Sequence, residues 1–167
     1  AALHTGGIIF IGEGEPFLHP DAIDLMAMAK RTGFHVSVLT NGSLIDTTRA
    51  RALVDAGIDQ VTVSLWTSCP DDFALHYSKG SDASLGNTIR ALKLLADTKR
   101  TAGTKKPEVV LHQPLTRANF DKIDGLSRLA RESGCQRVSL SALREHRGQL
   151  NRMAISSDQI RQLELRL

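Results

Sequence analysis

The sequence predicts an α/β fold of about five parallel strands joined by crossover helices, and three observations predict it. Short runs rich in β-branched and aromatic residues alternate with longer segments of helical period, beginning with Ile8-Ile9-Phe10-Ile11. Glycines stand where the helical segments should stop, at Gly33, Gly57 and Gly134. Single helices between successive strands require right-handed crossovers, and so a parallel sheet with helices over its apolar face. Periodicity alone leaves two architectures open, a partial barrel with strands in sequential order and a flat, doubly wound sheet. Both gather function at the C-terminal ends of the strands.

Each element follows from local chemistry. Residues 8–11 are too short for a helix and read as the first strand. A Gly- and Pro-containing loop leads to a helix starting near Pro20, with Ile23, Met26 and Ala27 on its inner face. Residues 36–39 form the second strand, Asn41-Gly42-Ser43 a loop, and Asp46 opens a helix that buries Leu53 and Val54. The third strand spans residues 60–66. A long loop through Cys69-Pro70 and Lys79-Gly80 reaches a helix with Leu85, Ile89, Leu92 and Ala96 at spacings of three or four, broken by Gly103-Thr104-Lys105-Lys106-Pro107. Residues 109–111 form the fourth strand. Asn119 is placed to cap a helix bearing Phe120, Ile123 and Leu126, and residues 138–141 form the fifth strand. Ser156 with Gln159 reads as a capping box for a last helix with Ile160, Leu163 and Leu167 inward.

Composition bounds the function. The chain has 167 residues, 41% of them hydrophobic, enough for one sizeable core and one domain over residues 1–167. A formal net charge of +3 is too weak to point to nucleic acid. No apolar run is long enough to span a bilayer, and the opening residues lack the pattern of a signal peptide. Cys69 and Cys135 stand 66 positions apart, which suggests neither a close metal pair nor a disulfide framework and fits a reducing, cytoplasmic setting.

Three successive strand ends carry small polar groups. The first is followed by Gly12-Glu13-Gly14-Glu15-Pro16, where glycines permit close backbone approach, Pro16 stiffens the turn, and carboxylates can accept from a cationic amine. The second ends in Thr40-Asn41-Gly42, which reads either as cavity lining or as an Asx-type turn. The third presents Ser64-Leu65-Trp66, with Trp66 a pocket wall or a core residue. His112 and Gln113 close the fourth strand, facing a substrate or satisfied within the structure. Cys69 is either a reactive or an inert loop thiol, and the Lys99-Arg100 and Lys105-Lys106 runs read as a solvated face at the opposite end.

In this order, GEGEP followed by HPD, then TNG, VSLW and Asn119, the sequence resembles the radical S-adenosylmethionine (SAM) superfamily over essentially its whole length. The resemblance implies a partial (β/α) barrel in which Gly14, Glu15 and Pro16 bind the amino group of SAM's methionine moiety, with Gly12 a further cofactor-binding residue of the same loop. Glu13 stands where the commoner motif has glycine. The resemblance also places Ser64 near the SAM ribose, and Thr40 and Asn41 either line the same cavity as cofactor-binding residues or serve the turn. It implies an enzyme that, with a 4Fe-4S cluster, cleaves SAM reductively to a 5'-deoxyadenosyl radical for hydrogen abstraction. An electron donor such as a flavodoxin or ferredoxin is implied, together with a small-molecule or peptide substrate. No residue is assigned as catalytic acid, base or radical.

The family holds its cluster with a CxxxCxxC motif that this sequence lacks, and two distant cysteines cannot replace it. The chain therefore reads as the central part of the barrel, truncated at its N-terminus and at its C-terminus, with no metal ligand of its own. A degenerate cluster-free barrel serving as a binding module is the alternative. A doubly wound nucleotide-binding domain fits less well, because Glu13 and Glu15 would repel a pyrophosphate and Phe17 replaces the third glycine of the fingerprint.

Overall fold

A computed structural model describes residues 6–12, 14–68, 85–143 and 153–165. Its elements, in order, are β1 (Gly7–Phe10), a 3-10 turn (Pro16–Leu18), α1 (Ala22–Arg31), β2 (His35–Thr40), α2 (Thr47–Asp55) and β3 (Gln60–Ser64). They continue with α3 (Leu85–Thr101), β4 (Glu108–Leu115), α4 (Ile123–Glu132), β5 (Arg137–Ala142) and α5 (Ser157–Glu164). The five strands form one sheet in the order β1-β2-β3-β4-β5, and every neighbouring pair is parallel. A doubly wound sheet needs a switch point where strand order reverses, so the sequential order excludes that alternative.

Strand alternation divides the sheet into two faces. Val36 and Val38 of β2, Val61 and Val63 of β3, and Val109 and Leu111 of β4 are essentially inaccessible and join one core with Met26, Leu53, Leu92, Leu95 and Leu126 from the helices. Each such side chain contributes on the order of 1.5–3 kcal/mol by leaving water. The other face carries Ile9, Leu39, Thr62, Ser64, His112, Ser139 and Ser141 at the alternate positions. It is partly open, with Ile9 and Ile11 69% and 64% exposed.

The N-terminal end of the sheet is bolted by a carboxylate. Asp59, just before β3, accepts from the Val36 N–H at 2.7 Å and from the Lys30 and Lys106 ammoniums at 2.6 Å each. Burial pushes this carboxyl upward, but the hydrogen bonds from Lys106, Lys30 and Val36 and the charge of Lys106 outweigh it, holding the group far below the usual carboxylate range. Nearby, Lys99 is buried and donates to Gln136 Oε1 at 2.7 Å, and the same oxygen accepts from the Val109 N–H. The lysine runs do lie at this end, as expected, but Lys99 and Lys106 are fastened into the fold and are not part of a merely solvated face.

Several sequence expectations are corrected in detail. Helix α1 buries Ala22, Met26 and Ala29, and Ile23 packs against the core as expected while Ala27 flanks the stripe. Asn119 is not a helix cap: α4 starts at Ile123, and the Asn119 side chain is spent inward on other partners. Ile160 is 43% exposed and only Leu163 of α5 is buried among the described residues. By contrast Asp46 accepts from the Arg49 N–H as the cap of α2, and Ser156 and Gln159 form the reciprocal capping box. Among the described residues no helix is long and apolar enough to cross a membrane.

Candidate functional site

The loop after β1 places Glu15 where its carboxylate reaches the end of β2. Oε1 accepts from the Thr40 hydroxyl at 2.6 Å and from the Phe17 N–H at 3.3 Å, while Oε2 accepts from the Asn41 N–H at 2.8 Å. All three donors are neutral. A carboxylate has about four lone-pair sites, so Oε2 keeps acceptor capacity, and among the described residues no cation pairs with Glu15. Pro16 opens the 3-10 turn that seats the buried Phe17 beneath the loop. Glu13 lies outside the described residues.

Thr40 and Asn41 serve this carboxylate before anything else. The Thr40 side chain is buried, its hydroxyl donating to Glu15 and accepting from the Gly42 N–H at 2.9 Å. Asn41 Oδ1 accepts from the Ser43 N–H at 2.8 Å, so the Asx-type turn is formed. Gly42 has φ +78°, and a Cβ there would meet Val63 Cγ1 at 3.0 Å and Ala91 Cβ at 3.3 Å, so both conformation and packing demand glycine. Gly14 differs. It has no such φ and a Cβ there would meet nothing within 4 Å, so the fold does not require glycine, and Gly14 lines one cavity with Glu15. Gly12, also exposed, precedes it in the same loop.

Ser64 ends β3 on the open face, directly opposite His112 of β4 in the register. His112 and Gln113 point to opposite faces. Gln113 is fully buried on the helix side with neither side-chain polar atom paired among the described residues, whereas His112 is half-buried on the open face. The His112 ring lies between two hydroxyls, Nδ1 at 3.4 Å from Ser139 Oγ and Nε2 at 3.2 Å from Ser141 Oγ. Burial lowers its pKa more than a hydrogen bond to Ser139 raises it, favouring the neutral ring. Sequence reasoning overlooked Ser139 and Ser141. Their spacing of two beside a strand-borne histidine was the available signal.

Trp66 lies just past β3, half-buried, and its carbonyl accepts from Asn119 Nδ2 at 2.7 Å. The same amide donates to the Pro114 carbonyl at 2.9 Å, while Asn119 Oδ1 accepts from the Thr116 N–H at 2.7 Å. Asn119 thus ties the exits of β3 and β4 together.

The rim suits SAM better than it suits a cluster. A carboxylate with spare acceptor capacity and, among the described residues, no paired cation, lining one cavity with an unfilled glycine position, fits an α-ammonium group. Thiolate ligands for an iron-sulfur cluster are lacking among the described residues: Cys135 lies between α4 and β5, and burial raises its thiol to about 11. No group of three or more His, Cys, Asp or Glu side chains that could hold a metal occurs among the described residues. Cys69 lies outside them.

Known proteins are similar to this chain in sequence and fold. The radical SAM superfamily profile matches residues 2–123. The chain is 28% identical over 136 residues, 81% of its length, to a tungsten-containing aldehyde ferredoxin oxidoreductase cofactor-modifying protein of Pyrococcus furiosus, covering 37% of that protein. It is 31% identical over 130 residues to the PqqA peptide cyclase of Streptomyces rochei, covering 77% of the chain and 32% of the relative. It thus spans about a third of the length of these relatives. In three dimensions it resembles Streptococcus suis SuiB bound to S-adenosylmethionine, with a TM-score of 0.75 over 96% of the chain and 35% of SuiB at 16% identity. The sequential parallel sheet is therefore the radical SAM partial barrel, and the chain belongs to the radical SAM superfamily.

Proposed function

We propose that the C-terminal rim of this sheet binds S-adenosylmethionine, as part of an enzyme that uses it for radical hydrogen abstraction. The observation that carries the reading is Glu15, a carboxylate held in place by three neutral donors and paired, among the described residues, with no cation. Its spare Oε2 site takes the ammonium of the methionine moiety, and the open backbone at Gly14, with the exposed Gly12 beside it in the loop, admits that moiety closely. Thr40 and the Asn41 N–H orient the carboxylate, Pro16 stiffens the turn, and Ser64, whose hydroxyl can both donate and accept, meets the ribose.

SAM, when bound, supplies the hydrogen-abstracting radical chemistry, so the work of these residues is binding and orientation. The cluster that reduces SAM would be held by cysteines outside this chain, with its electron delivered by a flavodoxin or ferredoxin. A reducing, cytoplasmic setting accords with the two distant cysteines.

Calorimetric titration of SAM tests the reading. Glu15→Gln removes the charge and should lower affinity about tenfold or more, equivalent to roughly 1.5–3 kcal/mol of a charge-assisted hydrogen bond. Glu13→Gln is the control and should have a smaller effect. If Glu15→Gln binds as the parent does while Glu13→Gln does not, Glu15 is not the amino-group ligand.

A further inference from the structure

At the N-terminal end of the sheet, away from Glu15 and Ser64, a cavity of about 470 Å³ lies between the last turns of α3 and α4 and the segment that leads into β5. Among the described residues its lining carries the cations Lys93, Lys99, Arg100 and Arg131 and the carboxylates Asp97 and Glu132. Asp97 is already taken by Arg100 at 2.7 Å. The side chains of Lys93 and Arg131 make no ion pair or hydrogen bond among the described residues, and Lys99 has no carboxylate partner there. Lys99 is buried, yet among those residues its ammonium is met by the neutral Gln136 Oε1 alone, at 2.7 Å. Buried charges are ordinarily paired, so this one lacks its counterion. Ser133, buried at the end of α4, lines the same cavity, and its hydroxyl has no partner among the described residues.

We infer that this cavity binds a phosphate dianion, free or as a small monoester, through the buried Lys99 and the exposed Lys93 and Arg131. One of the three N–H donors of Lys99 is spent on Gln136, so two remain, and a guanidinium offers a planar fork that matches two phosphate oxygens. With the Arg100 and Asp97 pair set aside, Lys93, Lys99 and Arg131 face Glu132 alone, an excess of positive charge that matches a dianion. Burial lowers the pKa of Lys99 and nearby Glu108 and Cys135 raise it less, so a bound anion would favour the charged form. Capping the helices does not occupy these cations. The last carbonyls of α3 accept from the N–H groups of Ala102, Gly103 and Thr104, and those of α4 from Ser133, Gly134 and Cys135. The C-terminal ends of the helix dipoles disfavour an anion, but they are partial charges set against the full charges of Lys99 and Arg131. No aromatic side chain is among the described residues of the lining to stack on a base, and its carboxylates disfavour an extended polyanion, so a small ligand fits better than nucleic acid. The site stands apart from the SAM rim and does not depend on that reading.

The test is a nuclear magnetic resonance titration of the chain with lysine and arginine side-chain nitrogens labelled, at slightly alkaline pH and at an ionic strength held constant with sodium chloride. Inorganic phosphate, methyl phosphate and acetate are the probes. The signals of Lys99 and Arg131 are assigned by their loss in Lys99→Gln and Arg131→Gln. Both phosphates should shift the two signals saturably, and acetate should bind at least about tenfold more weakly. Arg131→Gln, at an exposed position, should weaken phosphate at least about fivefold as read at Lys99. Arg128→Gln, an exposed arginine of α4 outside the cavity, should change it less than about twofold. If Lys99→Gln fails to fold, Lys93→Gln takes its place beside Arg131→Gln and should weaken phosphate at least about threefold. A Lys99 signal that does not saturate with phosphate, equal affinity for acetate, or equal losses in Arg128→Gln and Arg131→Gln overturns the inference. Tighter binding of an RNA oligonucleotide than of phosphate at the same signals overturns it as well.

Discussion

Two carboxylates do the same geometric work at opposite ends of the sheet, with different electrostatics. Asp59 joins the start of β3 to the start of β2, and Glu15 joins the exit of β1 to the exit of β2. Asp59 is neutralised by two ammoniums, whereas among the described residues Glu15 is held by a hydroxyl and two backbone N–H groups and by no cation. A carboxylate whose charge is already matched can stabilise the fold but has little left for a cationic ligand. Glu15 is oriented without being matched, which suits a group meant to receive a cation from outside.

Removing each carboxylate should therefore give opposite profiles. Asp59→Ala leaves the Val36 N–H unpaired and two ammoniums without a partner, and should cost about 3 kcal/mol or more in urea denaturation while SAM affinity changes less than twofold. The pH dependence follows the same sign. The folded-state pKa of Asp59 is depressed, so its stabilisation is fully present above the unfolded carboxyl value near about 4 and is lost as pH falls through the folded value. Below about pH 4 the parent should lose stability more steeply than Asp59→Asn, and equal slopes would remove Asp59 as the bolt.

Orientation can be separated from charge at the other end. Thr40→Val keeps the shape and the Glu15 charge but deletes the 2.6 Å donor and the acceptor of the Gly42 N–H. It should cost roughly 1–2 kcal/mol of stability and weaken SAM about threefold, less than Glu15→Gln. Thr40→Ser, which keeps the hydroxyl, should recover most of the affinity. If Thr40→Val weakens SAM as much as Glu15→Gln does, charge is not the dominant contribution at the rim.

Much of this arrangement was legible in the sequence, because it follows local rules. Alternating strand and helix periods gave the five strands, the family resemblance gave their sequential order in the sheet, and the GEGEP, TNG and VSLW runs marked the residues at the strand ends. What stayed hidden depends on partners distant in sequence. Asn119 looked like a cap because asparagine favours caps, yet its amide bridges carbonyls of Trp66 and Pro114 across two strand exits. Lys99 and Lys106 looked like surface charge because nothing local announces Gln136 or Asp59. The Ser139, His112 and Ser141 cluster needed the β4 to β5 register, which periodicity does not give.

The smallest stability effect offers a sharp separation of folding from binding, and it concerns two glycines that look equivalent in sequence. Gly42 has φ +78°, with Val63 Cγ1 at 3.0 Å from where a Cβ would sit, so Gly42→Ala must strain the backbone and displace β3 or α3. The expected cost is about 2 kcal/mol, with SAM affinity reduced only as far as the Asn41 N–H moves. Gly14→Ala meets no atom within 4 Å and needs no unusual φ, so folding stability should change by less than about 0.5 kcal/mol. If the space beside Glu15 is kept open for a ligand, that same methyl should weaken SAM binding by steric exclusion, on the order of tenfold. Thermal denaturation and SAM calorimetry on the two variants then give a crossed pattern, fold without ligand for one and ligand without fold for the other. Unchanged SAM affinity in Gly14→Ala would mean that the open glycine is not where the methionine moiety enters, and the binding assignment would have to rest on Glu15 and Ser64 alone.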